Sequence, residues 1–386
     1  MTESGSYKRS LGIFELVSLG VGGTIGSGIF VVPGIAAKLT GPWSLLAWLI
    51  VAISASCVLL SLASVSFGFT SSNSFYTLFV SVFSTRIAVP LIILYVISSV
   101  FGISTIAAGI GQYITYFGLS QVLLVEIAII GAFCWLNVTG ISFSGMTENV
   151  LTTLKIIPLI IISILLIPFI KLDNFVPLVP LTTSGLLATI IIVYWPFTGF
   201  EISAIPVEET RDPTIIRRSL IYVMGIVVSV YLLLNISLIG SAGSNALAAS
   251  PAPVAYAAGI LFAHSDSIIA GIGIIAMLSA INAYIIGTSR ILQSMASRFS
   301  IPKIQDLNQR GTPALALVAG CGISVVLLLF SNHFAQLATI SVITTLIPYI
   351  FFCLASWVIV TDIKSRIISF TGAVSTAAIL IIYFII

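Results

Sequence analysis

Long apolar runs separated by short polar or turn-rich stretches divide the chain into eleven segments, at 12–37, 43–66, 87–116, 121–140, 148–170, 185–207, 217–241, 266–297, 312–331, 335–359 and 367–386. Each is near the length of about 20 apolar residues that crosses a bilayer as a helix. The pattern predicts an all-α membrane protein of about eleven spans. Glu15 and a glycine run lie inside the first segment and no clear cleavage site follows, so a retained helix is expected there rather than a signal peptide. Between spans, Thr70-Ser71-Ser72-Asn73-Ser74 precedes a weakly amphipathic stretch at 75–83 that suits the membrane surface. The stretch at 254–262, after Pro251 and Pro253, fits either a short covering helix or a loop.

Two of the apolar runs are interrupted in matching places. The first carries Gly22-Gly23-Thr24-Ile25-Gly26-Ser27-Gly28, the sixth Trp195-Pro196-Phe197-Thr198-Gly199-Phe200-Glu201. Within lipid an unpaired amide or carbonyl costs several kcal/mol, so an interruption survives where the freed groups line a buried cavity. Paired interruptions in two halves point to a secondary transporter built from inverted repeats. Five plus five spans fit: one repeat at 12–170, a second at 185–359, and an added, peripherally packed helix at 367–386, all in a single domain over 1–386.

Composition sharpens this picture. Hydrophobic residues make up 59% of the 386 and charged residues 7%, and the mean hydropathy is +1.21. A soluble domain is excluded. Once the spans are drawn, Lys8, Arg9, Arg86, Arg211, Arg217, Arg218, Arg290, Arg298, Lys303, Arg310, Lys364 and Arg366 fall on one side, while Lys38 and Lys171 fall on the other. This bias places the N-terminus in the cytoplasm and the C-terminus outside the cell membrane. It also accounts for the net charge of +3 without a nucleic-acid partner. Cys57, Cys134, Cys321 and Cys353 lie inside spans without paired spacing, and His264 and His333 lie in external connections, so neither metal nor cofactor is expected. Asn137-Val138-Thr139 and Asn235-Ile236-Ser237 match the glycosylation pattern but sit at the inner face and within a span.

The breaks supply the candidate chemistry. Glycines at 23–28 free the backbone to turn toward a ligand. The second half of the first helix begins near Ser27 and Gly28, and its free N–H groups suit a carboxylate. The carbonyl ends of the two first halves suit an ammonium group. Together they would hold an α-amino acid without a charged side chain. Close packing of small residues is the alternative for the glycines, but Pro196, Gly199 and Glu201 in mid-span argue against it. Glu201 is expected to fix the second break. Ser98, Ser99, Ser279 and Asn282 are candidates for the cavity wall, and Glu15 and Glu126 read as interhelical hydrogen-bond partners or relay acids. Lys155 lies about seven residues into its span, roughly 10 Å deep. It is either a functional intramembrane charge or a lysine snorkelling to the surface.

Several of these stretches resemble the amino acid-polyamine-organocation superfamily of transporters. Gly26-Ser27-Gly28-Ile29-Phe30 is similar to its helix 1 signature and Phe197-Thr198-Gly199-Phe200-Glu201 to its helix 6 signature. Glu208-Glu209-Thr210-Arg211-Asp212-Pro213 is similar to the acidic stretch that follows, and Ser289-Arg290-Ile291-Leu292 through Ile301-Pro302 and Gly311-Thr312-Pro313 to the region joining helices 8 and 9. The resemblance implies a LeuT-type fold with a central site between helices 1, 3, 6, 8 and 10. It implies that Ser27 and Gly28, with Ile25 and Gly26 beside them, hold the substrate carboxylate. Carbonyls at Thr24, Trp195 and Thr198 would take the ammonium group, with Phe197 and Gly199 in the same wall and Trp195 as an aromatic gate. Pro196 departs from the usual pattern. Asn149-Val150-Leu151-Thr152-Thr153-Leu154-Lys155 resembles a stretch found in relatives that use protons, where lysine stands in for a sodium ion. The resemblance also allows Arg290, otherwise a charge anchor, a gate contact with Glu208 and Glu209. The expectation is proton-coupled import of a neutral or small amino acid. Amine or polyamine transport, amino acid exchange, a channel and a membrane-embedded enzyme remain as alternatives, although no motif of intramembrane catalysis occurs.

Overall fold

The computed structural model describes residues 11–66, 74–140, 145–177, 180–204, 210, 212 and 214–385. The expected basic residues Lys8, Arg9 and Arg211, the acidic pair Glu208 and Glu209, and the polar stretch from Thr70 to Asn73 lie outside them. The described residues form α-helices and short 3-10 turns, without strands.

The first apolar run forms α1 (Ile13–Thr24) and α2 (Ser27–Thr40), and α3 (Ser44–Val65) follows a turn at Gly41, whose φ of +58° suits glycine. Then come α4 (Ser74–Val82), α5 (Thr85–Tyr116), α6 (Val122–Val138) and α7 (Gly145–Leu165). The second half opens with α8 (Thr183–Tyr194), and α9 (Ile215–Ala242), α10 (Ser244–Ala249), α11 (Pro253–Ala258), α12 (Ser265–Arg298), α13 (Ala314–Phe330) and α14 (Phe334–Ile359) follow. The chain closes with α15 (Ile363–Ile385). Seven helical runs are long and apolar enough to cross a membrane, and three shorter apolar helices accompany them. The first run, Ile13–Val65, holds two passes, which gives about eleven crossings among the described residues.

The halves match in rhythm. The third crossing of each is its longest, α5 with 32 residues and α12 with 34, and the fourth is short, α6 and α13 with 17 each. α5 packs along α12 and α14, and α1 runs against α7, α9 and α12, so the breaks sit at the centre of the bundle. α4 takes up the amphipathic stretch and lies on α5 and α14. The stretch at 254–262 begins as a helix, α11, wedged against α2 and α12.

The last helix is less peripheral than its sequence suggests. Ser375 on α15 reaches Ser54 on α3 at 2.9 Å, and Ser54 reaches Tyr194 at the end of α8 at 3.1 Å. Ser369 meets Ser356 at 2.8 Å, and Ser356 meets Ser64 at 2.7 Å. Such hydroxyl pairs hold helices together in lipid, where no hydrophobic force sorts them. One end of the molecule gathers basic groups: Arg298 lies over Tyr76, Arg310 donates to the Thr139 carbonyl at 2.7 Å, and Arg366 stacks on Trp357.

Candidate functional site

Both interruptions expected from the sequence are present. α1 stops at Thr24, Ile25 and Gly26 leave helical geometry, and α2 starts at Ser27. The amides of the first turn of α2 have no partner within their own helix. In the second half α8 stops at Tyr194, a 3-10 turn covers Trp195–Phe197, Thr198 is extended, and Gly199 takes φ +94°. A further 3-10 turn spans Phe200–Ala204. Pro196 lacks the N–H that would continue the α-helical ladder, which suits the tighter turn at this point.

The two breaks touch through their main chains. A Cβ on Gly199 would lie 2.7 Å from the Gly23 carbonyl oxygen, and one on Gly28 would lie 2.6 Å from Pro196 Cα. Tyr231, reaching in from α9, donates its hydroxyl to the carbonyls of both Thr24 (3.0 Å) and Pro196 (2.9 Å). Trp195 crosses the gap to donate Nε1 to Ser27 Oγ at 3.3 Å. The candidate ammonium acceptors already carry protein partners: Thr24 accepts from Gly26 as well as Tyr231, and Trp195 accepts from the amide and the hydroxyl of Thr198. A small hollow lies among Gly23, Thr24, Gly26, Ser27 and Gly28, facing Ile106, Trp195, Thr198, Ala280 and Tyr284.

Glu201, expected to fix the second break, is bonded to it. Its carboxylate accepts from the Gly199 amide at 3.1 Å and from the hydroxyls of Tyr95 and Tyr349 at 2.8 Å each, which ties the unwound segment to α5 and α14. Beside it opens a second hollow that reaches Ser98, Ser99, Thr288 and Thr345. Ser98 is bonded to Thr345, and Ser99 to the Tyr95 carbonyl at 2.9 Å.

Lys155 points inward. It is 1% exposed, which rules out snorkelling, and its Nζ donates to the Gly22 carbonyl at 2.9 Å and to Ser279 Oγ at 3.0 Å. Gly22 belongs to the last turn of α1, whose carbonyls lack helical partners and carry partial negative charge. Ser279 therefore faces the lysine. Asn282, expected at the cavity, turns away: its Oδ1 accepts from Asn137 on α6 at 2.8 Å. Phe197 is buried against Trp48 and Tyr231 rather than the hollow. Arg290 sits two residues beyond Thr288 on α12, and the acidic pair proposed to meet it is outside the described residues. Glu15 caps its own helix by accepting from Gly12 N at 2.9 Å, and Glu126 is buried with Oε2 unpartnered among the described residues.

Tyr284, Tyr231, Tyr95 and Tyr349 are among the site residues that the sequence did not single out, as are Thr288 and Thr345. Tyrosine in mid-span was the available signal, and Tyr284 faces Gly102 of α5 across the helix contact.

The architecture and the sequence both find counterparts among known proteins. MhsT, solved in complex with L-phenylalanine, superimposes with a TM-score of 0.74 at 12% identity, covering 99% of each chain. The chain is 27% identical to the branched-chain amino acid permease BcaP of Bacillus subtilis over 54% of this chain and 49% of that protein, so this match spans about half of that relative. It is 24% identical to the inner membrane transport protein YbaT of Escherichia coli (90% and 83% covered) and 23% identical to the serine/threonine exchanger SteT of Bacillus subtilis (92% and 83%). A LeuT-type bundle with two facing breaks around a buried hollow defines a secondary transporter of small molecules rather than an enzyme. The profile of the amino acid permease family matches residues 11–386, and the chain belongs to that family, within the amino acid-polyamine-organocation superfamily.

Proposed function

We propose that this chain imports a neutral amino acid across the cell membrane by proton-coupled alternating access, the repeats at 12–170 and 185–359 rocking about the breaks. The substrate carboxylate rests on the first amides of α2, at Ser27 and Gly28, where a half-helix presents its positive end. The ammonium group lies among the carbonyls of Thr24, Trp195 and Thr198, approaching alongside the donors that two of them already carry. The basic end faces the cytoplasm, in keeping with the bias of arginine and lysine.

The observation that carries the reading is the Lys155 ammonium on the Gly22 carbonyl, 2.9 Å away at the negative end of α1. In related architectures coupling ions sit at such half-helix C-termini and unwound carbonyls. A lysine that takes up and gives back a proton there supplies or withdraws a cation at the break without sodium. Uptake of radiolabelled neutral amino acids into proteoliposomes under an imposed proton or sodium gradient tests this. Accumulation should follow the proton gradient and vanish in Lys155→Ala; a sodium requirement, or undiminished proton-driven accumulation in the variant, overturns the coupling.

A further inference from the structure

Two hollows adjoin at Thr198 and Tyr284, which line both. The smaller is walled by the main chain of the breaks; the larger continues between α5, α12 and α14. On the transport reading above, an amino acid held at the breaks by its carboxylate and ammonium groups directs its side chain past Tyr284 into the larger hollow.

Most polar groups in that second hollow are already committed. Ser99 donates to the Tyr95 carbonyl, Thr198 to the Trp195 carbonyl and Thr345 to the Ser341 carbonyl, at 2.9, 2.8 and 2.8 Å. Thr288 differs. It is 2% exposed, it borders the hollow, and its Oγ1 has no hydrogen-bond partner among the described residues. Buried hydroxyls in native proteins are bonded as a rule, and leaving one unpaired costs free energy that an incoming donor or acceptor recovers. An aliphatic side chain would seal Thr288 off without recovering it.

Charge narrows the choice further. Glu201 borders the same hollow, is 3% exposed, and already accepts three hydrogen bonds. Among the described residues the lining holds no cationic side chain to pair with an acidic substrate, and the engaged oxygens of Glu201 leave little to pair with a basic one. We propose that the larger hollow is the side-chain subsite and that Thr288 selects neutral amino acids bearing a hydroxyl or carboxamide. The inference rests on the transport reading and fixes its substrate class.

Threonine and valine differ in shape by little more than hydroxyl against methyl, so their ratio isolates the hydrogen bond. In proteoliposomes of the full-length protein, the uptake KM for radiolabelled threonine should be lower than that for valine by about 5- to 150-fold, the range set by one buried unsatisfied group. Thr288→Val should bring the ratio to about one, and Thr288→Ser should keep it. The ratio is taken within each variant, so reduced amounts of folded protein cancel. Equal KM values in the unaltered protein, or an unchanged ratio in Thr288→Val, overturn the assignment of Thr288 while leaving amino acid transport standing. If no amino acid is taken up at all, the transport reading fails, and the assignment with it.

Discussion

Replacing Tyr231 with phenylalanine removes one oxygen from the place where the two breaks are joined. The ring stays, and with it the contacts to Trp48 and Phe197 at centroid separations of 5.7 and 5.1 Å, so packing is conserved. The hydroxyl now bridges the Thr24 and Pro196 carbonyls at 3.0 and 2.9 Å. After the change Thr24 still accepts from the Gly26 amide, whereas Pro196 loses the donor from α9. One orphaned buried carbonyl costs about 1–3 kcal/mol. On the proposed reading the groups affected belong to the ligand cradle itself, so the cost should appear as looser preorganisation, a ligand affinity lower by about 5- to 150-fold. Binding of a transported amino acid to purified protein, measured by scintillation proximity beside a melting curve, separates the cradle from general stability. Affinity within twofold of the unaltered protein would refute the idea that this hydroxyl holds the breaks together.

Gly28→Ala places a methyl 2.6 Å from Pro196 Cα, so overpacking of about 1–3 kcal/mol and loss of uptake are expected in melting and transport assays. Gly322→Ala, where an added Cβ meets nothing within 4 Å, should leave the melting temperature equal or higher, by up to about 1 kcal/mol of helix propensity. Ser375→Ala cuts the hydroxyl path from α15 through Ser54 to Tyr194 and should cost about 0.6 kcal/mol by chemical or thermal melting. The Ser365 amide and hydroxyl at the start of α15, with Arg217 nearby, hold the Asp362 carboxyl below the usual carboxylate range. Its contribution is therefore complete at neutral pH, begins to fade as pH falls through about 3.9 and is gone below the folded-state value. The melting difference between the unaltered protein and Asp362→Ala should shrink to nothing over that interval.

The spans and both breaks could be read from the chain because lipid imposes harsh rules. Apolar length marks a crossing, and glycine or proline in mid-span marks an interruption that needs a cavity to survive. Lys155 was legible for the same reason, since a charge at that depth needs a partner, although the sequence alone left it free to turn outward. Side-chain direction was harder to read. Polar residues are scattered round α12 without a dominant face, so nothing along it distinguishes Asn282, which turns to Asn137, from Tyr284, which faces the breaks. Tyr231 escaped notice because its role depends on two carbonyls that come together after folding, from segments far apart in sequence. The engagement of Glu201 by Tyr95 and Tyr349 joins three helices and has no local signature, but an acid next to a break was enough to suggest its job.

The contact of Gly199 with the Gly23 carbonyl has a consequence for changing what this permease accepts. On the proposed reading, the grip on the part common to every amino acid is built from peptide units pressed together with no room for even a methyl group, and mutation has almost no purchase there. On that reading selectivity is altered instead in the surrounding wall, at positions such as Ile106 on α5 and Ile291 on α12, which line the hollows from outside the breaks. A directed library confined to that wall would search new cargo while leaving the shared handle intact.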